Sequence, residues 1–305
     1  MVERIYNSEA ARISQSLASF GSCSLNRVDP CLNIDLEELK IPCTPKQMME
    51  LIKQGNIPKR YKERDEEYDT KQHRWVKDKN SFYLESKSAT INYYWKYPKQ
   101  DEKHPNYAFR ELSRNVIRLE VQCKYPKLYP LSKNLRHKSK FYISDENASL
   151  EELYERIINE IRSPSIPIDV MLSEEVYDNL IRKDFYRILR KGDYFTLDGA
   201  RSIVESHRFR NDKEERIIYT LELVKKSHGI AKAKSRLHGP DLTDFNRSLN
   251  DLDDMLINPV TLPRRWNIKY IPNLLRAYDD ARCEERILID KEGLAWKHIK
   301  EYLSK

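Results

Sequence analysis

The sequence predicts an α+β protein: an antiparallel sheet with helices on one face, followed by a mostly α-helical C-terminal domain. Three observations predict it. Residues 115–124 alternate strictly, with Ile117, Leu119, Val121 and Cys123 on one side and Arg118, Glu120, Gln122 and Lys124 on the other. Side chains two apart in a strand share a face, so this is a half-buried strand with one apolar and one charged face. Residues 25–35 and 81–97 contain segments of the same two-faced kind. Beyond residue 173, apolar residues recur at helical spacing between capping and breaking residues.

In chain order, residues 25–35 come first. Val28, Leu32 and Ile34 fall on one face, and Arg27, Asp29, Asn33 and Asp35 on the other. Pro30 cannot donate to a ladder, which predicts an edge strand or a bulge. Thr44 is a suitable N-cap and Pro45 a suitable first helical residue, Met48, Leu51 and Ile52 form the apolar stripe, and Gly55 suits the stop. Residues 58–80 are highly charged, with Tyr61, Tyr68, His73 and Trp75 interspersed, and read as a long loop. Residues 81–85 and 90–97 read as a hairpin turning at residues 86–89. In its second strand Ile91, Tyr93, Trp95 and Tyr97 share one face, and Asn92, Tyr94 and Lys96 the other. A polar connection leads to the strand at 115–124. Residues 150–161 form an amphipathic helix carrying Tyr154 within its apolar stripe, and residues 162–172, with two prolines, form a linker.

Ser173 caps the next helix, with Glu174 and Glu175 in its first turn, Val176, Leu180, Ile181, Ile188 and Leu189 inward, and Gly192 as its stop. Helices follow near 197–205 and over 213–227, the latter with Ile217, Leu221 and Val224 inward. Gly229 then opens a short basic helix with Lys232, Lys234 and Arg236, a spacing shared by helix-turn-helix pairs and by ordinary helical packing. Leu242, Phe245, Leu249, Leu252 and Met255 mark another amphipathic helix. Residues 259–266 form a rigid basic segment that either braces the fold or touches phosphates. A last helix spans 290–303.

Composition narrows the function classes. With 34% charged and 39% hydrophobic residues, the chain is expected to be globular and soluble rather than disordered. No apolar run approaches a membrane span, and residues 1–20 lack a signal-peptide core. Five cysteines without a Cys-x-x-Cys pair predict a reduced, cytoplasmic protein and argue against structural zinc. A net charge of +7 favours a polyanionic partner. Seven glycines, no Gly-rich phosphate loop and no catalytic triad leave a small-molecule enzyme without support.

Stacked in one antiparallel sheet, the predicted strands place Arg27, Asp29, Asn33, Tyr94, Lys96, Arg118, Glu120 and Lys124 on one open surface. Asp29 and Glu120 can bind Mg²⁺ or Mn²⁺, which take oxygen ligands. Arg27, Arg118 and Lys124 can hold phosphate oxygens, and Lys96 can neutralise charge developing at phosphorus. Tyr94 can form a covalent phosphodiester. Each residue also has a plainer reading: Asp29 and Arg118 as a surface ion pair, Tyr94 as a strand aromatic, Lys96 as a solvated lysine.

At residues 26–33, 91–97 and 117–122 the sequence resembles the phage/plasmid replication initiation proteins of the rolling-circle type, related to filamentous-phage and plasmid initiation factors. In the second half the resemblance rests on Gly192-Asp193-Tyr194 followed by Ala200, on residues 257–263 and on residues 271–275. It spans about residues 24–280 and lies in the shared order of short motifs. It implies a nicking sheet domain of the HUH endonuclease class, a divalent metal and a tyrosine nucleophile. Two departures stand out. None of the seven histidines forms a His-x-His pair, so carboxylates are expected to hold the metal. Only about two dozen residues precede the first matching strand, fewer than in the group, so a sheet strand is expected to be missing. The attacking tyrosine is open between Tyr94, Tyr142 and Tyr154.

The resulting expectation is a nicking domain over residues 1–162 and a helical DNA-binding or oligomerisation domain over 163–305. The chain would bind single- and double-stranded origin DNA and cleave one strand through tyrosine and Mg²⁺ or Mn²⁺. Host helicase or polymerase and a homodimer are the further partners, with no membrane. Two rivals are a non-catalytic DNA-binding initiator and a truncated, inactive copy from a mobile element.

Overall fold

The computed structural model describes residues 27–64, 66–69, 74–103, 111–128 and 174–283. Its first strands, β1 (Arg27–Val28) and β2 (Cys31–Asp35), form one edge of the main sheet. They are one ladder interrupted chemically rather than geometrically. Val28 faces Cys123 and Cys31 faces Glu120, so the register carries straight across Pro30. The Val121 N–H donates to the Pro30 carbonyl at 2.9 Å, and proline has no N–H to return the bond. The edge position expected from Pro30 is observed, without a bulge.

Helix α1 (Pro45–Ile52) starts with a reciprocal cap between Thr44 and Gln47 and buries Met48, Leu51 and Ile52 completely. Gly55 ends the following turn. A Cβ there would stand 2.8 Å from the Ile188 carbonyl, so glycine lets a later helix end close by. Three strands replace the loop expected over residues 58–80: β3 (Lys62–Arg64), β4 (Glu66–Asp69) and β5 (Arg74–Lys77). All three β3 side chains are exposed, so it carries no apolar alternation and is held by backbone pairing and an Arg64–Glu85 ion pair at 3.6 Å. Charged edge strands of this kind resist pairing with other chains, and their pattern is invisible to a hydrophobic reading. Strands β4 and β5 form a separate two-stranded ladder.

Strands β6 (Ser81–Glu85) and β7 (Ala89–Trp95) form the expected hairpin. The second strand is shorter than expected, because Lys96 opens helix α2 (Lys96–Lys103). After a 3₁₀ turn at Glu111–Ser113 comes β8 (Val116–Lys124), flanked by β1/β2 on one side and β7 on the other. The antiparallel order is β1/β2, β8, β7, β6, β3. Its apolar face carries Ile34, Phe82, Leu84, Ile91, Tyr93, Ile117, Leu119, Val121 and Cys123, none more than 2% exposed. Each such side chain contributes roughly 1.5–3 kcal/mol by leaving water.

Helix α3 (Glu174–Leu189) packs against this face and buries Leu180, Ile181, Phe185, Ile188 and Leu189. The Phe185 ring stands edge-on to Tyr93 at 6.1 Å. The buried carboxylate of Asp184 meets Lys127, Arg60 at 3.3 Å and Arg187 at 3.9 Å, tying the helix to segments beside the sheet. Helix α3 ends at Arg190, which is left-handed at φ 66°, rather than at Gly192. Gly192 answers to a different need. A Cβ on it would lie 2.1 Å from the Ile257 carbonyl carbon, so two backbones touch there. Gly192→Ala is therefore expected to reach or exceed the ~1–3 kcal/mol typical of overpacking. An unchanged urea midpoint would refute that contact.

Short strands β9 (Tyr194–Phe195) and, much later, β10 (Tyr270–Ile271) pair with each other. Between them lie α4 (Leu197–Ser206), α5 (Asn211–Ser227), α6 (Ile230–Lys234) and α7 (Gly239–Asp254); α8 (Leu274–Cys283) follows. Ala200, Val204, Ile217, Leu221, Leu252 and Ile257 make a satellite core. The helix-turn-helix spacing of α5 and α6 serves packing. A Cβ on Gly229, which stands at φ 134°, would lie 3.0 Å from Gln54 Cα, and the Ile230 N–H donates to the Gln54 carbonyl at 2.8 Å.

The second-half motifs form a structural knot. Asn258 Nδ2 donates to Leu189 O at 2.6 Å, and Asn273 Nδ2 to Arg190 O at 3.0 Å. Asp193 accepts from the Asn273 N–H at 2.7 Å and the Tyr270 hydroxyl at 3.0 Å, and it pairs with Arg276. Residues 259–266 brace this region: Leu262 N–H donates to Phe195 O at 2.8 Å, and Arg265 reaches Glu50 at 3.2 Å. Sheet and helices together make a mixed α+β fold with one apolar cluster running from Ile34 through Phe185 to Leu275. Among the described residues, no helix is long and apolar enough to cross a membrane. The expected 162/163 boundary, the helix at 150–161, the linker at 162–172, the Ser173 cap and the helix at 290–303 lie outside the described residues.

Candidate functional site on the open sheet face

The polar sheet face is a grid set by register. Tyr94 stands opposite Arg118, with Asn33 beyond it and Ser81 on the other side. In the next row Cys31 faces Glu120, Asn92 faces Glu120 from β7, and Tyr83 follows. Gln122 and Thr90 make the third row, whose place on the first strand belongs to Asp29 by the continuous register. Arg27 and Lys124 face each other in the fourth. Arg118 and Lys124 are six positions apart, so the grid is about 20 Å long at ~3.4 Å per residue.

Its electrostatics divide along that length. At the Tyr94 end, Glu120 accepts from Arg118 Nε at 3.1 Å and from Gln122 Nε2 at 2.8 Å. Burial raises the Tyr94 phenol above its ordinary value; Arg118 opposes this, and Glu120 and Cys31 add to it. Burial, with repulsion from Arg118, lowers the Lys96 ammonium. Lys96 thus remains within electrostatic reach of Arg118 and Cys31 although it opens a helix. For Arg118, burial works against the charge, but Tyr94, Cys31 and Glu120 outweigh it and its pKa is raised. At the other end both Asp29 oxygens are held by Arg27, at 2.7 and 2.5 Å. Lys124 lies 3.9 Å from Glu85.

The structure therefore brings together Tyr94, Lys96, Arg118 and Glu120, with Asp29 one row from Glu120 and Arg27 and Lys124 three rows from Tyr94. A phosphate held at Tyr94 cannot also be held by Arg27 or Lys124, which can take phosphates further along a strand. The plain ion-pair reading holds with different partners, Asp29 with Arg27 and Arg118 with Glu120. Tyr142 and Tyr154 lie outside the described residues. Two residues of the reactive end were missed. Cys31 shares the face of Arg27, Asp29 and Asn33 by simple alternation, a signal hidden when Pro30 is read as a bulge. Asn92 is legible from alternation as polar lining only, yet its Oδ1 is buried with no hydrogen-bond partner among the described residues, opposite Glu120.

Among the described residues, no three His, Cys, Asp or Glu side chains cluster at metal-binding distance. Mg²⁺ and Mn²⁺ need only one or two carboxylates beside waters. Glu120 and the Asn92 oxygen lie one row nearer Tyr94 than Asp29 does; both carboxylates are engaged, Glu120 by Arg118 and Gln122 and Asp29 by Arg27, so an ion at either displaces those bonds. Glu120→Ala and Asn92→Ala are expected to weaken Mn²⁺ binding on the order of 10-fold or more by electron paramagnetic resonance titration, and Asp29→Ala far less. The reverse ranking would return the ion to Asp29.

No family model, no curated protein and no solved structure matches the chain.

Proposed function

We propose that the chain is a rolling-circle replication initiator that binds an origin and nicks one DNA strand through a tyrosine–phosphodiester intermediate with a divalent metal. The observation that carries this reading is Tyr94 on the polar sheet face with Arg118 directly opposite, and Lys96 and Glu120 beside them. The motif resemblance supports it, as does the net charge of +7.

In this reading Arg118 holds a non-bridging oxygen of the scissile phosphate. The Tyr94 oxygen attacks phosphorus, and its proton passes to water on the polar face. The phosphorus–O3′ bond breaks, and Lys96, its proton loosened by burial, donates it to the leaving 3′-oxygen. Product is a 5′-phosphotyrosyl strand and a free 3′-hydroxyl. A divalent ion at Glu120 and Asn92 would polarise the phosphate. Arg27 and Lys124 take backbone phosphates about 20 Å away along the strand. The helical half binds duplex DNA or a second copy, with host helicase or polymerase recruited afterwards in the cytoplasm.

The test is a cleavage assay with 5′- and 3′-labelled single-stranded DNA carrying the chain's own origin region, with Mn²⁺ or with EDTA, on a denaturing protein gel. A metal-dependent covalent protein–DNA band is expected. Binding without any such band would leave the non-catalytic initiator, a reading favoured by the raised Tyr94 pKa.

A further inference from the structure

We propose that a groove on the far side of β7 from Tyr94 binds single-stranded DNA, resting on the initiator reading above and extending the DNA path beyond the sheet face. Trp95 follows Tyr94 in β7 and points to the opposite side of the strand. Its ring borders a groove of about 710 Å³ between α1 and the start of α2, within the roughly 300–1,000 Å³ of ligand sites. The groove is also lined by Lys46, Lys53 and Lys79. Its one carboxylate, Glu50, is met by Arg265 at 3.2 Å, so the lining is net cationic.

The aromatic wall is held in place. Trp95 Nε1 donates to the Arg114 carbonyl at 2.7 Å, and the Tyr97 ring stacks on Trp95 at 6.1 Å and 24°. The Arg114 guanidinium lies 5.9 Å from the Tyr97 centroid, and Lys46 Nζ lies 5.8 Å from that of Trp95. Lys53 is anchored on the Asp78 carbonyl. Lys46 is exposed on a flexible stem and can leave the ring for a phosphate as a base takes its place. A fixed aromatic beside lysines fits an unstacked base with its backbone, the chemistry of single-strand binding. A duplex keeps its bases stacked and offers none to Trp95.

The experiment is fluorescence anisotropy of a labelled oligothymidylate about 12 nucleotides long, within the span of known single-strand sites. Lys46→Glu with Lys79→Glu, two exposed positions, is expected to weaken binding on the order of 10-fold and make the salt slope shallower by about 1.4. Trp95→Leu is expected to do likewise and Trp95→Tyr much less. Wild-type affinity in the double lysine variant would overturn the groove while leaving the nicking reading standing. Groove-dependent binding without a covalent band on origin DNA would keep the groove and remove the nickase. Full competition by thymidine monophosphate would overturn the single-strand assignment in favour of a free nucleotide. No oligothymidylate binding by the wild type would overturn the groove and leave the nicking reading to the cleavage assay on origin DNA.

Discussion

Tyr94→Phe removes the covalent protein–DNA band and lowers cleavage on the order of 10³-fold or more, the scale expected when a nucleophile is deleted. Tyr94 is only partly buried and its ring remains, so the unfolding free energy in urea is expected to stay within ~0.5 kcal/mol of wild type. Binding of uncleaved DNA is unchanged, because Arg118 stays in place across the ladder. The pH profile carries a second signature. Burial raises the phenol and lowers Lys96, so the rate climbs as the phenol ionises and falls as Lys96 loses its proton. Lys96→Met is expected to abolish the falling limb. A band retained in Tyr94→Phe but lost in Tyr142→Phe or Tyr154→Phe would move the nucleophile off the sheet.

Asp193→Ala destabilises the fold by about 1–3 kcal/mol or more, the cost of leaving buried donors without their acceptor. Asp193 is only 6% exposed and holds three groups at once: the Asn273 N–H, the Tyr270 hydroxyl and the Arg276 guanidinium. Truncation leaves the buried N–H without an acceptor and the arginine without its counter-charge. The same residue's backbone is bonded to Leu256 O and Asn258 N, at 2.8 and 2.7 Å, so loosening it releases the turn after α3. Asp193→Asn keeps an oxygen acceptor and is expected to cost distinctly less. Urea unfolding at constant m measures both. Equal midpoints for Asp193→Ala and wild type would show that the knot is redundant.

These two residues show what could be read from the chain and what could not. Tyr94 was legible as a candidate because strand alternation assigns its side of the sheet. Asp193 belonged to a recognisable short motif, yet its partners lie about 80 positions away, so its role as a tie had no local trace. The charged strand β3 was missed because its pairing rests on backbone bonds and edge charges. Phe185 was missed in the α3 stripe although it packs on Tyr93. Asn92 was legible as a face residue and Cys31 was not, but the meeting of either with Glu120 is a matter of register.

Alone, the sequence determined which side of each main strand is polar, where α1 begins, and the chemical types available on the polar face. Those are consequences of period-2 and period-3.6 patterns and of a capping box, all encoded within a few neighbouring residues. Only the tertiary structure decided which side chains share a row, that Arg27 and Lys124 stand three rows from Tyr94, and that Trp95 borders a cationic groove. Ladder register and helix docking pair residues tens of positions apart, and the free energy that selects them comes from burying shared surface, which no local pattern records.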